Sequence, residues 1–82
     1  MTADERVTRA IEKLTAGRTL TREQELWLGR IRGHLVANLS IDREDFETIP
    51  VLQQAGGWGR ADRVFGGELG GLIRSLNEAI AA

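Results

Sequence analysis

The chain has 82 residues, eleven basic and twelve acidic side chains, a formal net charge of −1 and no cysteine. That length fits one domain, 1–82, which buries roughly 60–65% of its unfolded surface and keeps a thin stability margin. The composition excludes disulfides and thiolate metal sites, and the near-neutral balance argues against an autonomous, strongly nucleic-acid-binding module.

No apolar run approaches the ~20 residues needed to span a bilayer. Asp4, Glu5, Arg6 and Arg9 already stand in the first ten positions, unlike a signal peptide. The expectation is a cytoplasmic chain with no membrane contact. Lys13 is the sole lysine, and every other basic residue is Arg. Arg suits contact surfaces through bidentate and stacking contacts, and a GC-rich genome would give the same bias.

Taken in chain order, Val7, Ala10, Ile11 and Leu14 form the first helical stripe. Thr2 or Asp4 starts it, and Gly17 supplies a left-handed stop. Thr21 and Gln24 form a capping box, and Trp27, Leu28, Ile31, Leu35, Val36 and Leu39 follow at helical spacing. The predicted helix runs from 22 to 38 and ends at Leu39-Ser40.

Asp42 is the cap expected for a short helix whose first turn carries Glu44, Asp45 and Glu47. Phe46 and Ile49 point inward. Pro50 ends that piece and opens another turn, Val51 to Gln54. Gly56-Gly57 reads as a turn, Arg60 to Phe65 as one or two helical turns, and Gly66-Gly67 as a break. The last stripe is Leu69, Leu72, Ile73, Leu76 and Ile80, predicting a helix over 68–81. No segment alternates with period two. The fold class is all-α, a small bundle of four to five helices, three of them substantial.

The search for chemistry finds no complete site. His34 is the only histidine. It lies between Ile31 and Leu35 with no nucleophile to serve, so a half-buried structural role is expected. Asp42/Asp45 and Glu44/Glu47 crowd a helix start beside Arg43, which suits solvated caps better than acid–base pairs. Gly57-Trp58-Gly59 lacks the third glycine and preceding strand of a dinucleotide fingerprint, with Asp62 where that glycine should fall.

Gly29 and Gly33 stand one turn apart inside a helix, as do Gly66/Gly70 and Gly67/Gly71. Each helical glycine costs roughly 1 kcal/mol against alanine. Close helix-to-helix approach inside the domain is the expected offset, with an external docking groove as the alternative. Trp27 shares the inward stripe with Ile31. Trp58, between two glycines, is expected at a turn, where its ring beside Arg60 and Arg63 would make an anchor for a partner or for phosphate.

Several runs together resemble a known family. They are TREQELWLGRI from Thr21 to Ile31, HLVAN from His34 to Asn38, IDREDF from Ile41 to Phe46, the Pro50 segment, Gly56-Gly57, Ala61 with Val64-Phe65-Gly66, and LIRSLNEA from Leu72 to Ala79. In order and spacing they resemble the C-terminal domain of the restriction (R, motor) subunit of type I restriction–modification enzymes, the EcoEI/EcoKI-like group. The resemblance covers roughly Leu20 to Ala81, leaving 1–19 as an added N-terminal helix.

It implies a C-terminal fragment of a larger subunit, with Ala81-Ala82 as the natural end and Met1 as an artificial start. The parent carries a nuclease domain and two RecA-like ATPase lobes, and uses ATP and Mg. It works with methyltransferase and specificity subunits. None of its nuclease carboxylates, phosphate-loop lysine or helicase motifs occurs here, so no catalytic, cofactor or metal residue carries over.

The expected role is therefore a non-catalytic module supporting assembly with the methyltransferase and specificity core and DNA translocation and cleavage by the whole enzyme. A DNA-guiding domain and an unrelated helical interaction domain are the alternatives. Candidate contacts to a partner or to DNA are Trp58, Arg60, Arg63, Arg74 and Arg30. A clustered Arg face would favour DNA, and an exposed apolar patch would favour protein.

Overall fold

Each of the first two helices begins on its own local cap. In the computed structural model, which describes residues 1–82, α1 (Ala3–Thr15) starts at Thr2. The Thr2 hydroxyl accepts the Glu5 amide at 3.1 Å, and the Glu5 carboxylate accepts the Thr2 N–H at 3.1 Å. This satisfies donors that a helix start otherwise leaves open. Helix α2 (Arg22–Asn38) repeats the device with Thr21 and Gln24, at 3.1 and 3.0 Å. It spans the predicted residues and turns off at Leu39, whose φ of 62° is the only positive value outside glycine.

Two short helices follow, α3 (Asp45–Thr48) and α4 (Pro50–Gln54). Ile49 between them is extended, as the residue before proline prefers, and Pro50 takes the first position of α4. The expected Asp42 cap is not formed. Glu44 already has helical torsions, which removes the extended geometry a cap residue needs. The bond runs the other way: the Asp42 N–H donates to the Asp45 carboxylate at 2.8 Å.

The largest departure from expectation is α5 (Gly57–Val64). The turn at Gly56-Gly57 is present, with φ of 123° and 69°, but the helix starts at Gly57 itself and carries Trp58 in its first turn. The cause is remote in sequence. Glu47 of α3 accepts the Trp58 N–H at 2.9 Å, capping α5 from outside. A Cβ on Gly57 would sit 2.9 Å from both Glu47 carboxylate oxygens, so glycine is required there twice over, by torsion and by space.

Helix α6 (Leu69–Ala81) follows the left-handed pair Gly66-Gly67. It too is capped from a distance, by Asp62 of α5, whose carboxylate accepts the Leu69 N–H at 3.1 Å. The structure is all-α, with six helices rather than four or five. Four of these span eight residues or more, because α5 is a full helix.

Every helix contributes to one apolar cluster: Val7 and Ala10, Trp27 with Ile31 and Leu35, Phe46, Leu52, Ala61, and Leu69 with Ile73, Leu76 and Ile80. Ile41 joins it from the α2–α3 loop. Its N–H and C=O are both held by the Asn77 side chain of α6, at 2.9 and 2.8 Å, so burying Ile41 leaves neither of its backbone groups unpaired. Helix α1 packs on both α2 and α6, so the first and last helices are neighbours. The Arg6 guanidinium donates to the Ile80 carbonyl at the end of α6, where a cation also suits the helix dipole. The radius of gyration is 11.7 Å, close to the ~12 Å of a compact chain this long.

Candidate functional site

Of the residues picked out as contacts, Trp58, Arg60 and Arg63 share α5, while Arg74 stands on α6 and Arg30 on α2. Trp58 is half-buried in α5 rather than displayed on a turn. Its ring meets the edge of Phe46 at 5.1 Å and 86°, and Phe46 stacks on Trp27 at 6.2 Å and 27°. The three rings join α2, α3 and α5. Arg43 lies over the Trp58 ring at 5.0 Å, and Arg30 over Trp27 at 5.0 Å. The cation on Trp58 is thus Arg43, not Arg60 or Arg63.

Arg60 and Arg63 are exposed on α5 and Arg74 is exposed on α6, which packs on α5. Arg30 is on α2, which does not pack on α6, so the structure does not bring Arg30 and Arg74 together. Arg32, paired with Asp4, is the one Arg in an ion pair with a carboxylate.

His34 has the structural role its neighbours suggest. Its ring Nε2 lies 3.2 Å from the Asp45 carboxylate, with only 9% of the side chain exposed, and Asn38 lies 3.4 Å from Nδ1. The pair ties α2 to α3. The carboxylates around it work as joints, since Asp45 holds His34 and Asp42 while Glu47 caps α5. No three His, Asp or Glu side chains gather as metal ligands would. Glu5 is held below the usual glutamate range, first by the Thr2 backbone N–H and then by its hydroxyl, and this is a helix cap, not a reaction site.

The structure overturns the expected reason for Gly29 and Gly33. No neighbouring helix approaches them, and a Cβ added at either would meet nothing within 4 Å. Gly66, Gly67 and Gly71 are equally open, and Gly70 has only the Trp58 ring at 4.0 Å. Gly29 and Gly33 instead floor an open groove of about 550 Å³ between α2 and α4, lined also by Leu26, Arg30, His34, Ile49 and Val51.

Met1 aside, Leu26 and Val51 are the only large apolar side chains left exposed, at 48% and 53%, and both line this groove. One signal in the sequence pointed here: Leu26 stands off the inward stripe of α2, beside the Gly29–Gly33 spacing. A second cleft, about 580 Å³, opens where the end of α1 meets α2 and α6, around Leu14, Gln24, Leu28, Phe65 and Leu72.

No helix is long and apolar enough to cross a membrane. Comparison with curated proteins and with solved structures returned no match. The profile of the family described as EcoEI R protein C-terminal matches residues 1–81, taking in α1 as well as the region from Leu20 onward. With a six-helix fold matched from end to end, the chain belongs to this family, the C-terminal part of the restriction subunit of type I restriction enzymes.

Proposed function

We propose that this domain is a non-catalytic docking module, joining the restriction subunit to the methyltransferase and specificity subunits. The observation that carries the reading is the pairing in one concave surface of Leu26 and Val51, the two large apolar side chains other than Met1 that are left exposed. Exposed apolar area gathered in a groove is characteristic of a protein contact. Duplex DNA calls for an array of cations facing phosphates, and Arg30 stands on α2, which makes no close helix contact with the α6 that carries Arg74.

All six helices feed one apolar cluster, so the domain is tested as one piece. Titrated against the assembled methyltransferase–specificity core, it binds saturably and displaces the full-length restriction subunit. Failure to associate, or submicromolar affinity for duplex DNA at physiological salt in its place, overturns docking in favour of DNA guiding.

A further inference from the structure

Gly29 and Gly33 weaken the longest helix of the domain, each by roughly 1 kcal/mol against alanine. Nothing inside the domain uses the missing Cβ. Neither residue has a positive φ, and neither meets a neighbour. What glycine does provide is a bare strip of helix backbone at the bottom of a groove, where a second helix can come closer than side chains normally allow.

Leu26, Gly29, Arg30 and Gly33 follow the i, i+3, i+4, i+7 pattern of one helix face, extending about 10 Å along the axis. Ile49 and Val51 wall the other side. The domain has no sheet edge, so strand addition has no template, and the one-turn spacing of the floor suits a helix laid in the groove.

The charge at the rim narrows the occupant. Arg30 is fixed over the Trp27 ring and forms no ion pair within the chain. No carboxylate lines the groove, and His34 is already committed to Asp45. One positioned guanidinium beside an apolar floor is complementary to a carboxylate at the edge of an apolar stripe.

We infer that the α2/α4 groove seats an amphipathic helix of the partner subunits, with apolar side chains against Leu26, Ile49 and Val51 and a carboxylate on Arg30. The inference rests on the docking reading and adds where the contact lies and by what chemistry.

Open space at Gly29 and Gly33 separates folding from binding. Gly33→Leu folds, and Gly33→Ala melts above the unaltered domain. Titrated into the methyltransferase–specificity core, Gly33→Leu weakens association by at least about tenfold, as a side chain in a close-packed seat should. Arg30→Glu also weakens it and flattens its dependence on salt, whereas Lys13→Glu, on exposed α1 surface, leaves it unchanged.

Undiminished binding by Gly33→Leu overturns the groove while leaving docking standing. No binding by the unaltered domain overturns both. Concentration-dependent self-association that Gly33→Leu abolishes would assign the groove to a second copy of this chain and overturn the partner helix.

Discussion

Helices α1 and α2 start themselves, whereas α5 and α6 are started by other elements. Thr2–Glu5 and Thr21–Gln24 close their caps within three residues. Trp58 and Leu69, by contrast, donate to Glu47 and Asp62, eleven and seven residues away, and Asn77 reaches back thirty-six residues to hold Ile41. A local cap supports its helix before anything has packed. A remote cap exists only once the tertiary structure does, so the C-terminal half borrows its order from the contacts that it makes.

Phe46 is where that borrowing is concentrated, since its buried ring lies between Trp27 and Trp58. Phe46→Ala is expected to cost about 3–5 kcal/mol, enough to unfold a domain with so small a margin. A urea melt reads it directly, and a near-native midpoint would break the comparison at its centre.

Removing one cap of each kind has a smaller effect. Thr21→Ala and Glu47→Ala should each cost about 1 kcal/mol, but in different places. Amide exchange should quicken in the first turn of α2 for Thr21→Ala. For Glu47→Ala it should quicken along α5 and at the α3–α5 junction together.

The smallest effect is in acid and distinguishes the two local caps. Glu5 has its folded pKa lowered by the Thr2 backbone N–H and hydroxyl. Its contribution is therefore present above the unfolded glutamate value, about 4.3, and is lost as the pH falls through the folded value. Gln24, in the equivalent place in α2, does not titrate. On acidification the Thr2 and Glu5 amide resonances should move while those of Thr21 and Gln24 stay, and Glu5→Gln should remove the difference.

The same contrast explains what could be read from the sequence. The limits of α2 were legible because both its start and its apolar stripe are local, and the family resemblance was legible from runs that span α2 to α6. The extent of α5 was not, because Gly57 and Gly59 look like breakers until Glu47 arrives from α3. Trp58 was placed on a turn for the same reason. The Gly29–Gly33 spacing was visible, but its meaning depends on whether another helix lies across it, which no local pattern specifies. Here none does.

The aromatic stack also decides what light can report about this molecule. Its two indoles, Trp27 and Trp58, lie on either side of Phe46, and the chain has no tyrosine. Fluorescence and near-ultraviolet dichroism therefore report chiefly on the junction of α2, α3 and α5. The α1–α6 pair that brings the first and last helices together carries no aromatic residue. If that pair frays first, the optical signal stays native while helicity falls. Coincidence of the tryptophan transition with the far-ultraviolet one is then the test of whether the domain melts as one unit.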